Sequence, residues 1–148
     1  MPIFLFDEAG DLPVGVHRCS LPEALSRFGE GAMQRRNIAL RLARIHNLIA
    51  ATGEVKRFIV FGLFVTGKAE PQDVDVFLLM NDTFQVSETN GETRLLFDHL
   101  VAQLHFGASI FWLRELAALD GEQAAVEDWQ IKRDGKRRGI VEIVEGDL

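Results

Sequence analysis

Residues 57–80, RFIVFGLFVTGKAEPQDVDVFLLM, constrain the fold more than any other stretch of the chain. Two apolar runs rich in Val, Ile and Phe read as strands. Between them lies a turn containing Gly62 and Gly67, and the second run opens on Asp-Val-Asp. Side chains alternate along a strand, so Asp73 and Asp75 share one face while Val74 and Val76 take the other. Two carboxylates about 7 Å apart along a strand repel each other. A divalent cation relieves that repulsion, and Mg2+ favours one or two carboxylates completed by phosphate oxygens of a substrate. The glycine turn brings backbone N–H groups towards an anion. This is the logic of phosphoryl and nucleotidyl transfer, in which metal ions bridge the reacting phosphates. Taken alone, D-x-D also fits exposed polar residues alternating with a buried face, so the rest of the chain has to decide.

Residues 1–20 read as an arm, with IFLF (3–6) as a short edge strand and DEAGDLPVG as turn chemistry. Ser20 is an N-cap, with Pro22 in the first turn and Glu23 at the capping-box position. The helix it starts covers 21–28 and stops at Gly29. The next helix, within 32–53, places Ile38, Leu42, Ile45 and Ile49 on one stripe and has Gly53 as its C-terminal stop. Its arginines, Arg35, Arg36, Arg41 and Arg44, read most simply as a solvated face. A further helix is expected over 92–105 on Leu96, Leu100 and Leu104, ended by Gly107, followed by a strand at ASIFWL (108–113). Residues 114–129 read as a helix broken near Gly121. Residues 129–144 read as a C-terminal hairpin around the Asp134-Gly135 turn. The expected fold class is α/β (α+β), a mixed central sheet with helices packed on it, in one domain over 1–148.

The chain has 148 residues, enough for one domain with a core of its own. One cysteine, Cys19, excludes an intrachain disulfide, and with no leader pattern at the N-terminus the expectation is a reducing cytoplasm. No apolar run approaches the roughly 20 residues of a membrane span. A formal net charge of −6 argues against general DNA binding. Local basic stretches, KRDGKRR (132–138) above all, leave room for an anion site, although a solvated hairpin tip is the simpler reading of Arg133, Lys136, Arg137 and Arg138.

Three separated motifs carry a resemblance: GDLPVGVH (10–17), GLFVTGKAEPQDVD (62–75) and RDGKRRGIV (133–141). Gly62, the spacer and the acidic-apolar-acidic triplet resemble the nucleotidyltransferase superfamily typified by DNA polymerase β. All three together resemble a poorly characterised bacterial branch of single-domain proteins with a GSFVT-x-K-x-x-P-x-D-x-D pattern. The resemblance implies a nucleotidyltransferase-like fold, Mg2+ on Asp73 and Asp75, and an NTP held by the turn at Gly62, Leu63, Thr66 and Lys68. It implies NMP transfer to an acceptor that the sequence does not name.

The departures from the pattern matter as much. The family has Ser after the glycine, where its hydroxyl helps hold a nucleotide phosphate; here Leu63 offers no donor. Active members also place a third carboxylate on the strand after the next helix, at or near Ser109, and no Asp or Glu lies between Phe106 and Arg114. Thr66, Lys68 and Glu142 are conceivable substitutes. The expectation is therefore a nucleotidyltransferase-like protein with activity weakened or lost. The alternative is a non-catalytic nucleotide- or protein-binding regulatory module, antitoxin-like, on the same fold. His17 is a ligand or base, or else packs the arm on the domain. Lys68 is a phosphate contact or a solvated turn lysine. Trp112 and Trp129 read as packing residues.

Overall fold

The computed structural model describes residues 5–68 and 70–145. Five strands form one mixed sheet: β1 (Val16–Cys19), β2 (Val55–Phe61), β3 (Val74–Met80), β4 (Ala108–Arg114) and β5 (Ile140–Ile143), in the order β1-β5-β2-β3-β4. The β1–β5 and β3–β4 pairs are parallel; β5–β2 and β2–β3 are antiparallel. Among the described residues five α-helices accompany it: α1 (Leu21–Phe28), α2 (Met33–Ala50), α3 (Gly91–Leu95), α4 (His99–Phe106) and α5 (Glu122–Glu127). The result is the mixed sheet with packed helices expected of the α+β class. Among the described residues no helix is long and apolar enough to cross a membrane.

The interior strand β3 is buried on both faces, which is why its sequence reads as an almost continuous apolar run. Val74, Val76, Leu78 and Met80 join the larger core with Phe58, Val60 and Ile110. Ile38, Leu42, Ile45 and Ile49 of α2 close over them, the stripe anticipated from spacing. On the other face Ile59, Phe77, Leu79 and Ile140 form a smaller cluster with Val126 of α5, flanked by Val16, Phe61, Ala118, Ala125 and Trp129. Strand β2 finishes where β3 and β4 begin, so the ends of the three strands meet at one edge of the layer.

Helix α1 starts and stops where its caps dictate. Ser20 accepts from the Glu23 N–H, Glu23 accepts from the Ser20 N–H, and the Gly29 N–H closes on Leu25 O. Elsewhere the structure departs from the expectations. The helix over 92–105 is two helices, because Asp98 caps a new one through the Val101 N–H. Leu96 is buried, but Leu100 and Leu104 are 65% and 82% exposed, and Ala102 and Phe106 face the core instead. The strand expected at 3–6 lies partly outside the described residues; Leu5 and Phe6 are not strand, and the Phe6 ring packs on Phe28. The first strand is β1, which has too few residues to show a period. The segment after Trp129 is not a full hairpin. Its Asp134-Gly135 turn closes with a single bridge, Ile131 to Arg137, and β5 leaves to lie between β1 and β2. With a strand on each side, all four residues Ile140–Ile143 are buried, which a solvated hairpin partner is not.

Candidate functional site

Asp73 stands at the foot of β3 and Asp75 is its second residue. Asp75 lies opposite Phe61 of β2 on one side and Ser109 of β4 on the other. Gly62 follows Phe61 directly and turns the chain with φ +82°, a conformation that side chains rarely adopt. A Cβ at Gly62 would overlap Asp75 Oδ2, so the glycine also makes room for the carboxylate. The sheet therefore brings together Gly62, Asp73, Asp75 and Ser109.

Ser109 is buried and supplies the one side-chain hydroxyl facing the pair among these four. Its Oγ donates to Asp73 Oδ2 at 3.4 Å and lies within reach of Asp75. Gln103 Nε2 donates to the same Oγ at 3.2 Å, which turns the hydroxyl proton towards the carboxylates. Below Asp75 the face is aromatic. Trp129 packs on Phe61, Phe77 and Phe111 with ring centroids 4.7, 5.1 and 4.9 Å apart. Burial against this wall, and then the neighbouring Asp73, push the Asp75 carboxyl up to about 6, while Ser109, Arg138 and Arg133 pull the other way.

The turn from 62 to 68 is a short helical turn, Leu63–Val65, followed by a tight bend. Arg35 at the start of α2 ties it down: its guanidinium donates to the carbonyls of Phe28, Leu63, Phe64, Thr66 and Lys68. Thr66 is buried, with its hydroxyl donating to Leu63 O at 2.7 Å and accepting from the Lys68 N–H. Leu63 turns a 45% exposed side chain outwards. Lys68 Nζ reaches Asp11 Oδ1 at 3.1 Å. Thr66 thus builds the turn, and Lys68 belongs to a charge cluster beside it.

Glu142, weighed as a substitute carboxylate, is not brought to the pair. It is buried two strands away, where Arg57 grips both its oxygens at 2.6 and 2.8 Å and Arg18 adds a contact at 3.3 Å. Burial alone would raise its carboxyl; those arginines hold it below the ordinary range. A groove of about 540 Å³ opens beside this network, lined by Arg18, Arg57, Glu122 and Glu142, and does not include Asp73 or Asp75. His17 on β1 sets Nε2 2.7 Å from Pro13 O. Trp112 packs edge-on to Phe84 and Phe97, as a packing residue should.

Asp73 and Asp75 are the residues at this end of the sheet that could hold a divalent cation. Asp73 and Asp75 crowd together, and neither has an ion-pair partner among the described residues. No group of three His, Cys, Asp or Glu side chains is gathered there among the described residues. Two carboxylates alone would make an incomplete cation site, of the kind a hard cation completes with oxygens from outside the protein.

Sequence reasoning missed Asp11, Gln103 and the role of Arg35. For Arg35 a signal existed, since three residues before Ile38 it falls on the apolar stripe and not on the solvated face.

Residues 4–144 match the family described as "Family of unknown function (DUF6932)". No curated protein and no solved structure matches the chain.

Proposed function

The chain belongs to DUF6932, and from that premise we propose that it is a nucleotidyltransferase-like protein binding a nucleotide as its Mg2+ complex at Asp73 and Asp75. One observation carries the reading. Two like charges are crowded at a sheet end, one of them kept from easy ionisation, beside a turn that only glycine can make. A chain that needed no cation there would relax the pair at little cost. Asp73 and Asp75 would hold the ion, which when bound would neutralise phosphate charge and favour in-line displacement. In such a transfer an acceptor oxygen bonds to the α-phosphorus, the α–β bridging bond breaks, pyrophosphate leaves, and the acceptor proton passes to solvent or a base.

Leu63 and Ser109 favour the second reading, binding without efficient transfer. Leu63 has no hydroxyl for a phosphate, and Ser109 occupies the strand position facing Asp75 where a third carboxylate would complete the site. The domain then serves as a non-catalytic nucleotide- or protein-binding module.

Calorimetry with Mg2+ and each NTP tests the core of the proposal. The wild type binds at least one NTP, and Asp73→Asn/Asp75→Asn loses that binding at least tenfold. No binding by the wild type, or equal binding by the variant, sinks it. The double variant Leu63→Ser/Ser109→Asp separates the two readings. Transfer of labelled NMP that appears only in this variant supports a lapsed enzyme; robust transfer by the wild type supports an active one.

A further inference from the structure

Three stretches distant in sequence meet beside the Asp73–Asp75 pair, and a buried carboxylate holds them together. Asp11 has a side chain only 5% exposed, yet three cations turn to it. Lys68 Nζ stands 3.1 Å from Oδ1, Lys132 Nζ 3.5 Å from Oδ2 and Arg138 Nη1 3.5 Å from Oδ1. Burial by itself would raise the Asp11 carboxyl; Lys68 first, then Lys132 and Arg138, hold it below the ordinary range.

Backbone contacts fix the arrangement from every side. The Gly67 N–H donates to Gly10 O, placing Lys68 against residues 10–11. The Gly139 N–H donates to Leu12 O and the Ile140 N–H to Gly15 O. A Cβ at Gly139 would overlap Pro13 O, so the two segments touch main chain to main chain. Gln130 accepts the Gly15 N–H on its side chain at 2.6 Å and the Arg138 N–H on its carbonyl. Lys132 is set by its own tight turn, its N–H donating to Lys136 O and its carbonyl accepting from the Gly135 N–H.

Only one carboxylate, Asp11, makes ion pairs with the three cations among the described residues. The Lys68, Lys132 and Arg138 side chains remain 33, 21 and 17% exposed, so their outer faces stay reachable. A clasp that only joined the segments would need one cation. Three, converging from two loops in a chain whose net charge is −6, concentrate positive potential at one spot. The spot adjoins the candidate metal pair: Lys68 belongs to the turn between Gly62 and Asp73, and the charges of Arg138 and Arg133 act on Asp75.

We propose that Lys68, Lys132 and Arg138, positioned by Asp11, form a phosphate-binding site for the charged tail of a nucleoside di- or triphosphate. The assignment of the tail to a nucleotide rests on the reading of Asp73 and Asp75 given above; the phosphate site itself stands without it. It supplies from the N- and C-terminal motifs what Leu63 removes from the turn.

Titration calorimetry with pyrophosphate and with tripolyphosphate, in the absence of divalent metal, tests the site. The wild type binds tripolyphosphate more tightly than sulfate, and Lys132→Gln/Arg138→Gln weakens it at least tenfold with its circular dichroism unchanged. Should that pair fail to fold, Lys68→Gln alone, at a partly exposed side chain, weakens it at least threefold. Asp73→Asn/Asp75→Asn keeps or tightens metal-free binding, because two nearby negative charges are gone. If it does so yet Mg2+–NTP binding proves independent of the two aspartates, the metal reading fails and the phosphate site stands. No tripolyphosphate binding by the wild type, or binding unchanged in the Gln variants, overturns the proposal. A single-stranded RNA that displaces tripolyphosphate at lower charge-matched concentration also overturns it, since the surface then belongs to nucleic acid.

Discussion

At the scale of single residues, Asp75 sets the terms. Its folded pKa of about 6 lies above the ordinary 3.8, first through burial and then through Asp73. Between those two pH values the unfolded chain releases a proton that the folded chain keeps, so stability falls as pH rises and the cost is complete above about 6. A shift of this size corresponds to at most about 3 kcal/mol. Asp75→Asn removes it. The variant should therefore be more stable than the wild type by about 2 kcal/mol at pH 8, with the gain gone at pH 4. Added Mg2+ should raise the wild-type unfolding midpoint at pH 8 and leave the variant's unmoved. Thermal denaturation at both pH values, with and without Mg2+, reads all four quantities. A variant gain that persists at pH 4 would mean that packing, and not charge, carries the effect. Leu63 and Ser109 show the same site from the other side. Each was visible in the sequence as a departure from a pattern, but only the β3–β4 register shows that Ser109 faces Asp75.

At the scale of elements, legibility followed how local the cause was. Helix α1 could be read to the residue because Ser20, Glu23 and Gly29 settle its ends by hydrogen bonds within four residues. Strands β2, β3 and β4 announced themselves by composition, and the α2 stripe by period. The break at Asp98 hid behind a leucine repeat whose later members face solvent, since a capping carboxylate outweighed a pattern of modest length. Strand β1 and the true partners of β5 were out of reach, because β5 pairs with β1 across more than a hundred residues and with β2 across more than eighty, and neither pairing leaves a local trace. The turn from 62 to 68 is a similar case: Arg35, on a helix nearly thirty residues earlier, holds its carbonyls. Hydrogen bonds to a charged group contribute about 1.5–3 kcal/mol each at most, and buried carbonyls left bare add to the loss. Arg35→Met should therefore cost about 2–4 kcal/mol. Hydrogen exchange should speed up most at residues 63–68 while the α1 amides change little. Arg35→Lys should recover only a small part, because an ammonium cannot span five carbonyls as a planar fork does. Uniform acceleration across the chain would show that Arg35 supports the whole fold and not this turn.

At the scale of the whole molecule, the sheet divides its labour between two ends. One end gathers Asp73, Asp75, Ser109 and, beside them, the Asp11 cluster. Towards the other, β5 buries a charge network that must hold its shape. Glu142 is held by Arg57 and Arg18 in a place where an unpaired charge is costly. Removing one partner of a buried pair costs about 3–5 kcal/mol, mainly because the other is left uncompensated. Glu142→Gln strands Arg57, which retains only Glu122 and Gln123 as side-chain partners at 3.4 and 3.1 Å. Burial raises the Glu142 carboxyl and the arginines more than reverse that, so its folded pKa is depressed. Its contribution is then present above the unfolded value of 4.5 and is lost as pH falls through the folded pKa. The gap between wild type and Glu142→Gln should thus be widest at pH 7 and shrink as pH falls below 4.5 towards 3, because the unfolded wild type then takes up a proton at Glu142 more readily than the folded one. Denaturant unfolding at the two pH values measures the gap. Nucleotide and tripolyphosphate binding at pH 7, under conditions where both proteins are folded, should change less than threefold, since the network lies two strands from the pair. An equal gap at both pH values would show that Glu142 serves by shape alone; a binding loss as large as that of Asp73→Asn/Asp75→Asn would show that the two ends of the sheet are coupled.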